Sequence, residues 1–259
     1  MELIYLCGFA FGAGFIDSVV GGGGLIQLPA LLLCLPPAWS GSLAAVFGTN
    51  KLASLCGTSV ACVRYARQVP LRWRALLPAS GAAFVFSFLG ARAVTGLDAA
   101  VLQPVILGLL VAVAAYTFFR KDFGGRHAPR LSTRREWQFG VLVGLAIGFY
   151  DGFFGPGTGS FLIFIFIGLF GFDFLTASAS AKAINLATNL SAVLYFAATD
   201  HILYRYALPM GACNVLGALV GTKLALGQGN RFVRALFLVL VSAMILRYGA
   251  EVWKTLAAR

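Results

Sequence analysis

Charge is what this chain has least of. Only 11% of its 259 residues are charged, against about a quarter in an ordinary soluble domain. Acid is scarcer still, with 9 Asp and Glu against 20 Lys and Arg. A soluble helical protein needs polar helix faces, and segments this poor in charge cannot supply them. Motifs that carry chemistry are missing too. The five cysteines (Cys7, Cys34, Cys56, Cys62, Cys213) have no CxxC spacing, which leaves them as small packing residues rather than metal or redox groups. There is no Walker motif, no H-E-x-x-H and no serine-centred elbow, so an ATP-driven pump, a zinc enzyme and a membrane hydrolase lack support. Enzymatic activity and a cofactor are therefore not expected. The run Gly21-Gly22-Gly23-Gly24 follows no strand, so it is not a dinucleotide fingerprint.

What fills the space is apolar sequence, 59% of the chain. Runs of this number and length predict an all-α polytopic membrane protein. The net charge of +11 would suit nucleic acid, but the bases lie in short loops between apolar runs, where the positive-inside rule accounts for them. The start of the chain has no basic n-region and carries Glu2, which predicts a first membrane segment rather than a cleaved signal peptide.

Two stretches stand out. Gly14-Phe15-Ile16-Asp17-Ser18 runs into Gly21 to Gly24, and Gly148-Phe149-Tyr150-Asp151-Gly152 runs into Gly155-Pro156-Gly157-Thr158-Gly159. In both, a carboxylate costly to bury in lipid is followed by glycines that break a helix. The apolar pieces after the breaks, Leu25 to Leu35 and Ser160 to Leu169, are too short at 1.5 Å per residue to cross about 30 Å of hydrocarbon. Each is expected either to cross in part or to re-enter, giving eight to ten membrane segments.

Asp151 lies 134 residues after Asp17, and beyond the breaks the offset settles at 131. Lys51 falls on Lys182, Ser54 on Asn185, Thr58 on Asn189, Pro78 on Pro209 and Gly90 on Gly221. This predicts an internal duplication: a first transmembrane repeat over 1–119, a basic linker over 120–136 and a second repeat over 137–259. Placing the Arg64–Arg74 turn and the linker in the cytoplasm makes equivalent loops face opposite sides, so the repeats are expected to be inverted, as in many secondary transporters.

Lys51, Ser54 and Thr58 share one helix face, as do Lys182, Asn185 and Asn189. Such stripes face a protein interior or a wet cavity, because lipid offers no partner. An ammonium beside hydroxyls and amides, near N–H groups where a helix restarts, suits a small anion. The same lysines could instead be purely structural ion-pair partners. Asp17 and Asp151 have three readings: ion pairs with the lysines, uptake and release of a coupling proton, or direct cation binding. No metal site is expected.

The two glycine-aspartate motifs, together with Gly48-Thr49-Asn50-Lys51-Leu52, Ala181-Lys182, Asn185 and Thr188-Asn189, resemble the TauE/SafE family of sulfite exporter-like membrane permeases over nearly the whole chain. The resemblance implies a secondary transporter of the bacterial cytoplasmic membrane, moving sulfur-containing anions such as sulfite or organosulfonates. Two other classes stay open on the residues alone: a passive anion channel, in which a glycine break forms a filter, and a non-transporting membrane assembly component.

Overall fold

The computed structural model describes every residue except 37–38, 40–41, 94–126 and 258–259, and the side chains at 244–245 and 247–257 also lie outside it. The expected span Ala99–Phe119, the turn before it and the first seven residues of the linker fall outside the described residues. What is described is helical: α1 Glu2–Val20, α2 Gly24–Cys34, α3 Leu43–Gln68, α4 Trp73–Ala93, α5 Thr133–Phe153, α6 Thr158–Ile165 and α7 Phe174–Ala198. A wide turn over Phe166–Phe170 extends α6. The last stretch, Tyr204–Ala257, is interrupted at Gly229, where φ 67 and ψ −157 are not helical; α8 and α9 are its parts 204–228 and 230–257.

Local sequence sets the helix ends. Ser42 caps α3 by accepting from Ala45 N (3.4 Å), and Asp173 caps α7 by accepting from Thr176 N (2.7 Å). α1 stops at Gly21 and α6 starts after Gly157, both in the left-handed region (φ 76 and 81) that glycine tolerates best. α5 begins at Thr133, four residues earlier than the expected repeat boundary. Its first turn carries Glu136, buried and bonded to Arg72.

Both short segments fold back on the helix before them. Gly23 lies back against Ala13 and Asp17 of α1, so the chain reverses at the first break. After the second, Ala128 N donates to Gly171 O (2.9 Å) and Arg130 N to Phe170 O (3.2 Å), which brings the end of the α6 segment beside the residues leading into α5. A third reversal sits at Gly229. Gly221 packs on Ser18 and Val19 while Leu240 packs on Gly22, although a straight helix would hold 221 and 240 roughly 28 Å apart.

In lipid the packing force between helices is close contact rather than water exclusion, so small residues decide which helices meet. Gly140, Gly144, Gly148 and Gly152 of α5 lie on the α4 backbone at Ala75, Ala79, Ala83 and Ser87. α1 meets α8 the same way, and at corresponding positions: Gly14 sits on Asn214 where Gly148 sits on Ala83, and Gly221 on Phe15 where Gly90 sits on Phe149. Thus the first helix of each half packs on a helix of the other half. Among the described residues, Glu2–Val20, Trp73–Ala93 and Tyr204–Ala243 are long and apolar enough to cross a membrane. α3, α5 and α7 are as long, at 26, 21 and 25 residues, and carry the polar groups described next. The chain is an all-α polytopic membrane protein.

Candidate functional site

The glycine tips of the two hairpins meet inside the bundle. Gly21 and Gly159 touch backbone to backbone, leaving no room for a methyl group on either. Ser160 Oγ donates to Val20 O (2.8 Å) and Ser178 Oγ to Val19 O (2.6 Å), which fastens the first tip to α6 and α7. Each aspartate sits in the last turn of its helix, just before the break. The long helices α3 and α7 run past the tips and bring their lysines to this level.

The ion pairs are crossed. Lys51 Nζ donates to Asp151 Oδ2 at 2.7 Å, and Lys182 Nζ to Asp17 Oδ2 at 3.0 Å. Each lysine therefore binds the aspartate of the other half, and neither charge is left unpaired in a low-dielectric interior. Asp17 has further partners in Thr58 Oγ1 and Gly23 N, both at 3.4 Å.

A polar cavity lies at the meeting point. Its walls come from the tips (Gly21, Gly24, Gly155, Thr158, Gly159), from both aspartates, from Asn50, Lys51 and Ser54 of α3, and from Asn185 and Asn189 of α7. For the centre of a water molecule it measures about 30 Å³; one water requires roughly 10–15 Å³ on that measure, so two waters or one small ion can sit there. α2 and α6 both start at this cavity, and first-turn N–H groups, which have no partner within their own helix, give such an end a positive potential. Asn50 Oδ1 and Asn185 Oδ1 are buried with no hydrogen-bond partner among the described residues.

Of the residues expected at the site, Lys51, Ser54, Asn185, Asn189, Asp17 and Asp151 thus line one cavity, with Gly21, Gly24, Gly155 and Gly159. The others stand behind it. Lys182 is fully buried against Asp17, and Thr58 bonds to Asp17. Gly22 packs under Leu240 and Gly23 against α1. Pro156 O accepts from Tyr150 Oη (2.6 Å), and Gly157 begins α6. Sequence reasoning passed over Asn50 and Thr158 as wall residues. It also missed a buried chain of amides: Asn214 Nδ2 donates to Gln27 Oε1 (2.9 Å), and Gln27 Nε2 to Asn50 O (3.3 Å). The available signal was an amide side chain inside an apolar run.

The model of the family described as "Sulfite exporter TauE/SafE" matches residues 6–248. The chain is 35% identical over 250 residues to "Probable membrane transporter protein ORF9" of a Sinorhizobium species, covering 96% of this chain and 93% of that one. It is 34% identical over 242 residues to "Probable membrane transporter protein" of Haemophilus influenzae, covering 93% and 91%. It is also 33% identical over 233 residues to "Probable membrane transporter protein YfcA" of Escherichia coli K12, covering 90% and 84%. No solved structure gives a significant match. Similarity that runs through both glycine breaks and both lysine helices leaves one assignment: the chain belongs to the TauE/SafE family, related to the YfcA-type probable transporters, and is a multi-pass transporter of the bacterial inner membrane rather than an enzyme.

Proposed function

We propose that this protein is a secondary transporter of small anions, sulfur-containing oxyanions such as sulfite or organosulfonates, working by alternating access between two inverted repeats. The observation that carries the reading is the cavity where two glycine-broken hairpins meet, walled from both halves by Lys51, Ser54, Asn185 and Asn189. The repeats are 1–119 and 137–259, with the basic 120–136 linker on the cytoplasmic side. Support for their common origin comes from contacts that recur at matching positions: two crossed ion pairs and two matched glycine contacts. Opposed hairpins, one entering from each side, are what an inverted pair would produce.

In this mechanism the anion lies between the tips. The Lys51 ammonium draws it in, hydroxyl and amide groups orient it, and the starts of α2 and α6 add positive potential. Because Lys51 and Lys182 each hold a carboxylate across the halves, movement of one half against the other must lengthen or remake those pairs. The anion's charge on Lys51 competes with Asp151 and so couples binding to that movement. An ion gradient or the membrane potential supplies the drive, with a proton as the coupling ion.

Sulfite flux into proteoliposomes tests this. Saturable uptake with counterflow, abolished by Lys51→Ala and weakened by Lys182→Ala, is the expected result. Uptake unchanged in both variants would reject the assignment, and single-channel currents would show a pore instead. Loss of all dependence on a pH gradient would remove the proton from the scheme.

A further inference from the structure

Resting on that reading, we infer that the cavity takes its anion in a singly charged form that still carries an O–H group, as in hydrogensulfite, and not as the fully deprotonated dianion. Two observations carry this. The first is the hydrogen-bond supply. The carboxylates of Asp17 and Asp151 line the cavity from α1 and α5, and a carboxylate accepts hydrogen bonds but donates none. A ligand made only of acceptor oxygens meets both acceptor to acceptor and gives neither a hydrogen bond. A ligand with one hydroxyl satisfies an acceptor on one side while its remaining oxygens take Lys51 and the Ser54 hydroxyl.

The second observation is the charge balance. The groups that face the site are Asp17 from α1, Lys51 from α3 and Asp151 from α5, with Lys182 of α7 directly behind Asp17. The cavity walls contributed by α2 and α6 carry no titratable side chain. Two cations and two anions sum to zero, so the charge of the ligand is not cancelled in advance. The cost of moving an ion out of water grows as the square of its charge, so a dianion faces about four times the penalty of a monoanion. The transported species then brings one proton with it, which by itself makes flux respond to pH.

The test is binding to the purified full-length protein, followed by thermal shift or calorimetry from pH 6 to pH 9. The probes are sulfite, which takes up its proton near neutrality, methanesulfonate, a monoanion without an O–H, and sulfate, a dianion. The expected pattern is sulfite affinity that falls about tenfold per pH unit once sulfite loses its proton. Methanesulfonate should bind more weakly and without that slope, which separates titration of the ligand from titration of the protein. Sulfite affinity that holds or rises above neutral pH would overturn the inference and would leave the anion-transport reading intact. No binding of any of the three probes at any pH would instead count against the transport reading itself.

Discussion

Lys51–Asp151 and Lys182–Asp17 hold corresponding places in the two halves of the chain, but their surroundings differ. In the first pair both side chains are buried (4% and 6% exposed), the distance is 2.7 Å, and both residues line the cavity. In the second the lysine is completely buried, the aspartate is 19% exposed, and only the aspartate reaches the cavity. Asp17 also takes Thr58 and Gly23 as partners. The same two charges, one lysine and one aspartate, occur twice, and local packing gives them different exposures: one cation is presented to the cavity and the other is sealed behind its carboxylate.

Charge removal gives the largest effect with which to break this comparison. Losing one partner of a buried pair leaves the other charge stranded, at a cost of about 3–5 kcal/mol. Lys51→Met and Lys182→Met are both expected to destabilise the protein on that scale in a thermal unfolding assay. The paired neutral variants should then separate. Lys51→Met with Asp151→Asn recovers stability but transports nothing, because the cavity has lost its cation. Lys182→Met with Asp17→Asn recovers stability and keeps measurable flux. Equal flux in the two double variants would show that the two pairs do the same work.

The next effect concerns the tips that carry the aspartates. Gly21 has φ 76 and its Cα touches the backbone at Gly159. An alanine there adds about 1–2 kcal/mol of left-handed strain to a backbone collision, and no flexible side chain is available to move aside. Gly21→Ala and Gly159→Ala should therefore both fail to give folded protein in detergent. Gly24 lies three residues on and also lines the cavity, but a methyl group there would meet only Pro156 Cα at 3.7 Å. Gly24→Ala should fold, so that any loss of flux in it reports on the cavity. Folded, active Gly21→Ala would show that the two tips separate readily.

Much of this site was legible because the chain repeats. The 134 and 131 offsets pick out Asp17, Asp151, Lys51 and Lys182, and costly residues recurring in register are hard to attribute to chance. Partner choice was not legible. Spacing along a helix fixes which residues share a face, but it cannot say that Lys51 binds Asp151 rather than Asp17, because that depends on how the halves interlock. The repeat also acted as a filter. Asn50, Gln27 and Asn214 are buried and bonded or wall-forming, yet at the repeat offsets their counterparts are Ala181, Phe161 and Ala83, so a search for duplicated polar residues overlooks them. Where the second short segment folds back likewise depended on contacts far apart in sequence, such as Ala128 with Gly171.

The smallest effect should come from two hydroxyls one helical turn apart. Ser54 and Thr58 lie on the same face of α3, but Ser54 lines the cavity while Thr58 Oγ1 donates to Asp17 Oδ2 over a long 3.4 Å. Thr58→Val removes a weak bond to a carboxylate that keeps Lys182, so stability should fall by less than about 1 kcal/mol and anion affinity should hold. Ser54→Ala should do the reverse. It leaves both ion pairs intact and withdraws one hydroxyl from the ligand, which weakens sulfite binding by roughly fivefold if that bond contributes about 1 kcal/mol. Titrating both variants with sulfite and melting both without it places each residue on one side of the wall. A Thr58→Val variant that loses affinity while Ser54→Ala does not would move the anion from the Lys51 side of the cavity to the Lys182 side, reversing the assignment of the two pairs.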